Sequence, residues 1–111
     1  MLCDERDLAH LHTLKGALAK LERQIENVTF ERFLADLYIA DAVAMQLVVV
    51  GESANRLSVA FKDAHPQISW PRIISLRHLI AHEYEKLDPA RLWDVVINHA
   101  PRLAADISDA S

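Results

Sequence analysis

The sequence predicts an all-α fold, and three observations carry that prediction. Hydrophobic residues make up 51% of the 111 residues and aromatics only 6%, so the interior must be built from Leu, Ile, Val and Ala. The 2 glycines and 4 prolines are too few for a chain of short strands, which needs a reversal every ten residues or so, roughly. Finally, Leu8, Leu11, Leu14, Leu18, Leu21 and Ile25 recur at steps of three and four, the spacing that lines one face of a helix. A chain of this length fits one domain, residues 1–111, with one core.

The elements follow in order. Asp4 is placed to cap the first helix. Residues Asn27 to Thr29 break the apolar pattern and predict a corner, after which Thr29 caps a short helix from Phe30 to about Asp36. From Leu37 or Ile39 to about Lys62 the chain has no proline and is apolar on more than one side, as a helix buried between neighbours would be. Gly51 lowers the helicity of this segment by about 1 kcal/mol relative to alanine, so it marks either the close approach of another backbone or a kink.

His65-Pro66 ends that helix, because the proline ring disfavours helical geometry in the residue before it. Ser69-Trp70-Pro71 reads as a cap followed by proline in the first turn, opening a helix to about Tyr84. Asp88-Pro89 repeats the signal and starts a final helix through Leu92, Val95, Val96 and His99, with a kink at Pro101 and fraying near Ser108. Trp70 and Trp93 are expected to be packing anchors at helix starts. The stripe from Leu8 to Ile25 is too short to require a coiled-coil seam, so burial inside a bundle is expected. His10 and His12 face different directions and read as solvated.

Composition narrows the function classes. The single Cys3 excludes an internal disulfide and a Cys-based zinc site, and points to a reducing compartment. The charged stretch Met1 to Asp7 lacks the apolar core of a signal peptide. The most apolar run, Leu37 to Gly51, is interrupted by Asp41 and too short to span a bilayer. A cytoplasmic protein with no membrane partner is predicted. The net charge of −4 is opposite in sign to the broad basic surface of a typical nucleic-acid binder, so any RNA contact must be local.

The segment Arg77-His78-Leu79-Ile80-Ala81-His82-Glu83-Tyr84 places a cation, two imidazoles, a carboxylate and a phenol on one predicted helix. At about 100° per residue, Ile73, Leu76, Ile80 and Leu87 group on an apolar side. Arg77, His78, Ala81 and His82 fan across an adjacent polar strip, and Tyr84 lies beside Arg77. Such a set suits cleavage of an RNA phosphodiester without a metal: a histidine moves a proton to or from the ribose hydroxyl, and an arginine stabilises the developing phosphorane charge. By spacing alone, the ordinary reading is that Arg77 pairs with a neighbouring carboxylate and His82 is a satisfied interfacial histidine.

Arg77, His82 and Tyr84 match the R-x-x-x-x-H-x-Y signature of HepT-like toxins of the HEPN superfamily, which this sequence resembles. Gly51-Glu52-Ser53-Ala54 is similar to the family's Gly-Glu-Ala segment, Pro66 to Trp70 to its Pro-x-x-x-Trp approach, and Leu79 to His82 to its Leu-Ala-His run. Asp88, Trp93 and Pro101-Arg102-Leu103 also occupy familiar places. The likeness is strong from about Val50 to Leu103 and looser before that.

The resemblance implies an antiparallel helical bundle of four to five helices that dimerises so that the two motif helices face one cleft. It implies a metal-independent endoribonuclease toxin with no cofactor, in which Arg77 and His82 are catalytic and Tyr84 supports the site. It further implies an antitoxin partner of the minimal-nucleotidyltransferase type that adenylylates Tyr84. Nucleotide added beside Arg77 would compete with RNA phosphate. The alternative is a non-catalytic helical module that binds such a nucleotidyltransferase through the same face.

Two further residues belong with the site. His78 departs from the asparagine found after the arginine in many members, and can join the site. Glu52 lies in an apolar stretch where an unpaired carboxylate is costly to bury; it either orients Arg77 or His82 or is simply partly exposed, and Asn55 and Arg56 extend its strip. His78 and His82 stand four apart, but without an H-E-x-x-H order or a nearby Cys or Asp to complete a set, no metal site is predicted.

Overall fold

A computed structural model describes residues 4–110, so Cys3 lies outside the described residues. Helix α1 (Glu5–Gln24) starts where the Asp4 side chain accepts the Asp7 amide at 2.8 Å. Its buried stripe is Asp7, Leu11, Leu14, Leu18 and Leu21, with Ala17 beside it. Leu8, expected on that face, stands 55% exposed, because Asp7 holds the first-turn position. The Asp7 carboxylate accepts the Ser58 amide and the Ser58 hydroxyl, both at 2.7 Å.

The corner after α1 is closed by Asn27 in the left-handed region at φ 60°, a conformation asparagine tolerates better than most residues. Thr29 caps α2 (Phe30–Ala35) through the Arg32 amide, and Asp36 caps α3 (Leu37–Arg56) through the amides of Tyr38 and Ile39. At 20 residues, α3 is long and apolar enough to cross a membrane, which corrects the expectation drawn from the shorter run Leu37 to Gly51. In this fold it packs between α1 and the later motif helix, and burial of Val43, Leu47, Val50 and Ala54 accounts for that apolarity.

The helix expected to reach Lys62 stops at Arg56. Leu57 is extended (ψ 146°), and Ser58 caps a separate α4 (Val59–Ala64) by accepting the Phe61 amide at 3.0 Å. The break has no proline; the buried carboxylate of Asp7, 51 residues upstream, holds it.

Helix α5 (Trp70–Glu83) begins with Trp70 buried against Phe61, its indole N–H donating to the carbonyls of Lys62 and His65 at the end of α4. Ser69 occupies the cap position, but its side chain makes no capping bond. Its carbonyl instead accepts the amides of Arg72 and Ile73. A 3-10 turn (Tyr84–Lys86) leads to α6 (Pro89–Asp94), capped by Asp88 through the Ala90 amide.

The chain then runs through a widened π turn (Val95–His99) into α7 (Ala100–Ala110). The kink expected at Pro101 takes this form. The Ala100 amide reaches back to the Val95 carbonyl, and a widened turn relieves the crowding a proline ring imposes on the preceding turn. Fraying near Ser108 is not seen, since α7 continues to Ala110.

The rods α1, α3, α5 and α6–α7 form the bundle, an all-α fold as predicted. The contact Asp7–Ser58 sets α1 antiparallel to α3, and the contacts Glu52–Arg77 and Asp41–Tyr84 set α5 antiparallel to it. Trp93 anchors α6 against Phe33 and Phe30 of α2 at centroid distances of 5.2 and 5.9 Å. His12 is exposed, while His10 is partly buried.

Candidate active site on helices α3 and α5

The site begins at a glycine. A Cβ on Gly51 would lie 2.8 Å from the Arg77 amide nitrogen and 3.0 Å from the Ile73 carbonyl oxygen. The close approach that Gly51 marks is therefore that of α5, at the very residue that opens the motif. Ile80 is buried beneath this strip and Ile73 and Leu76 pack against the core, which leaves Arg77, His78, Ala81 and His82 exposed side by side.

Glu52, next to Gly51, places its carboxylate between two guanidinium groups. One oxygen accepts from Arg77 Nη1 at 2.9 Å and the other from Arg56 Nε at 3.0 Å. Of the two roles open to Glu52, contact with Arg77 is realised, and the side chain also remains partly exposed. Arg77 has five N–H donors, so a pair made through Nη1 leaves others for a ligand. His78 and His82 pack ring against ring at a centroid distance of 4.5 Å. Among the described residues no three His, Cys, Asp or Glu side chains converge as a metal-binding group.

Tyr84 opens the 3-10 turn and is half-buried; its hydroxyl donates to the Asp41 carboxylate on α3. Burial first, then the hydrogen bond and the negative charge of Asp41, push the phenol up to about 12 from its ordinary 10.0. Sequence reasoning missed Asp41 and took it only as an interruption of an apolar run. A signal existed: Asp41 and Glu52 are eleven residues apart, about three full turns, while Arg77 and Tyr84 are seven apart, about two. Each pair lies along one stripe, and the stripes face each other on antiparallel helices.

The sequence profile of the ribonuclease HepT-like family matches residues 14–110. The chain belongs to that family. Among curated relatives, the protein named "Putative RNase MJ0127" of Methanocaldococcus jannaschii is 32% identical over 83 residues, 75% of this chain and 69% of its own length. The protein named "Probable ribonuclease HepT" of Thermococcus cleftensis is 30% identical over 94 residues, 85% of this chain and 86% of its own. No solved structure matches the chain significantly. The exposed strip of α5 carries Arg77, tethered to Glu52, and His82 about one and a half turns further along.

Proposed function

We propose that this chain is a metal-independent endoribonuclease, the toxin of a toxin-antitoxin pair whose antitoxin is a minimal nucleotidyltransferase, and that it acts in the cytoplasm. The observation that carries this reading is the exposure of Arg77 and His82 on one strip of α5, with Glu52 holding the guanidinium. His82 takes the proton of a ribose 2′-hydroxyl, the 2′-oxygen attacks the adjacent phosphorus, and the bond to the 5′-oxygen breaks as water protonates the leaving group. Arg77 stabilises the charge gathered on the phosphoryl oxygens. His78, in ring contact with His82, supports its orientation.

Tyr84 is the site of control. Adenylylation by the partner would replace the proton now donated to Asp41 with a phosphodiester, placing two negative groups together and driving the nucleotide out over the cleft. A homodimer is part of the same reading. On α3, Met45 lies on the stripe of Asp41 and Glu52 and is 60% exposed, an apolar side chain suited to a second copy beside the motif.

The test is His82→Ala, which should abolish cleavage of RNA in EDTA while leaving the circular dichroism spectrum unchanged; retained cleavage sinks the reading. Incubation with the partner and ATP should add one or more adenylyl groups to Tyr84 with loss of cleavage. The second reading, a non-catalytic module that binds the nucleotidyltransferase, is favoured by the pairing of Arg77 with Glu52. It wins if partner-free protein neither cleaves nor binds RNA but forms a stable complex.

A further inference from the structure

A second feature lies on the other side of α5. Between α5 and α6–α7 opens a groove of about 570 Å³ that reaches the bundle core, where Leu18, Leu47 and Val50 form its floor. Arg72 of α5, Arg91 of α6 and Arg102 of α7 line it. All three are exposed, and among the described residues none has a carboxylate partner, whereas Arg56 and Arg77 both do. Two carboxylates share the lining, Asp94, which accepts from Asn98 at 2.7 Å and lies 3.4 Å from His99, and Asp106, so three guanidinium groups outnumber them and the groove keeps a net positive charge.

We propose that this groove is a binding subsite for single-stranded RNA, holding a nucleotide that flanks the scissile phosphate; the inference rests on the ribonuclease reading above. A chain of net charge −4 has no broad basic surface, and its motif arginine is already tethered, so unpaired local cations must hold the strand. The groove supplies them around an apolar floor. Phosphates meet the arginines, and an unstacked base enters the cleft. Its volume falls within the range of about 300–1,000 Å³ typical of ligand sites.

Helical geometry connects the two places. On α5, Ser75 and Leu79 line the groove, and at about 100° per residue His82 lies next to them around the helix. A strand with its scissile phosphate at Arg77 and His82 therefore crosses the exposed crest of α5, about 10–12 Å wide, and drops into the groove within a nucleotide or two. A duplex, whose bases stay stacked and paired, cannot make that step.

The test uses the full chain. A short fluorescein-labelled single-stranded RNA and its duplex are titrated against His82→Ala protein, with and without Arg91→Glu and Arg102→Glu together. The charge reversal should weaken single-strand binding at least tenfold. It should also lower the slope of log affinity against log salt by about 1.4, roughly 0.7 for each single-strand phosphate that the protein no longer neutralises. Duplex binding should be weak throughout. In protein carrying His82, the loss should fall on KM rather than kcat, and Arg91→Lys with Arg102→Lys should restore most of the affinity.

Unchanged RNA affinity in the reversed variant, or a loss of nucleotidyltransferase binding with RNA affinity intact, overturns the subsite while leaving cleavage by the parent as evidence for the ribonuclease. A parent protein that neither binds nor cleaves RNA overturns the ribonuclease reading itself, and the subsite with it.

Discussion

The phenol of Tyr84 donates its hydrogen bond to the carboxylate of Asp41, joining the end of α5 to the first turns of α3. Half-buried and next to an anion, the phenol holds its proton up to about 12. The sign follows directly. The folded pKa lies above the unfolded value of 10.0, so the stability tied to this group is fully present below pH 10 and is lost as pH rises toward about 12. Phenolate absorbance of Tyr38→Phe protein should show Tyr84 ionising at about 12 rather than 10.0. Asp41→Asn should bring that titration only part of the way down, since burial, the largest cause, remains, and Tyr84→Phe should remove it. A Tyr84 that titrates at its ordinary 10.0 in the Tyr38→Phe protein would contradict the contact.

Gly51→Ala tests the packing that positions the motif. Its new Cβ would stand 2.8 Å from backbone nitrogen and 3.0 Å from backbone oxygen of α5, and neither can swing away as a side-chain tip could. Either α5 moves or α3 bends. Although alanine favours helix by about 1 kcal/mol, overpacking costs about 1–3 kcal/mol. The urea midpoint should therefore fall, and RNA cleavage should fall with it because Arg77 is the residue displaced. Gly16 provides the control. Nothing lies within 4 Å of a Cβ there, so Gly16→Ala should be neutral or stabilising.

Asp7→Ala should be among the most destabilising changes outside the apolar core. Asp7 is 4% exposed and accepts both the amide and the hydroxyl of Ser58. Removing it strands a partly buried donor and loosens the residue that caps α4. Hydrogen bonds to a charged group contribute about 1.5–3 kcal/mol, and a loss of about 3 kcal/mol is expected in chemical denaturation. Ser58→Ala, which keeps the amide contact but loses the hydroxyl bond to Asp7 and the cap on the Phe61 amide, should lose about 2 kcal/mol. Cleavage by folded Asp7→Ala protein should remain, since the break between α3 and α4 lies beyond the motif contacts.

Most local signals in the sequence hold, although Ser69 makes no side-chain capping bond and α7 does not fray near Ser108; long-range relationships were less legible. Asp4, Thr29 and Asp88 cap where short-range chemistry says they should, and Gly51 is the close approach its place inside an apolar helix suggested. The break at Leu57–Ser58 was illegible because it depends on a carboxylate from α1 folding back onto the turn. Leu8 read as core for the same reason. Arg77, His82 and Tyr84 were legible as a spaced motif. Asp41 was not, because a lone acid reveals its partner only when α3 and α5 are laid antiparallel and in register.

Glu52→Gln separates the two things a salt bridge can do. The pair with Arg77 is partly solvated, with side chains 30% and 48% exposed, and pairs of that kind contribute no more than about 1 kcal/mol to stability. The thermal midpoint should therefore barely move. Activity should respond far more, because glutamine keeps the length of the side chain but loses the charge that holds two guanidinium groups in place. A misplacement of about 1 Å can cost about a hundredfold in rate, so cleavage should fall between about tenfold and a hundredfold. The loss should be larger than for Arg56→Ala, which removes only the outer of the two contacts. If Glu52→Gln instead cleaves at the parental rate, Arg77 is positioned by other means and the carboxylate is an exposed helix residue with a convenient neighbour.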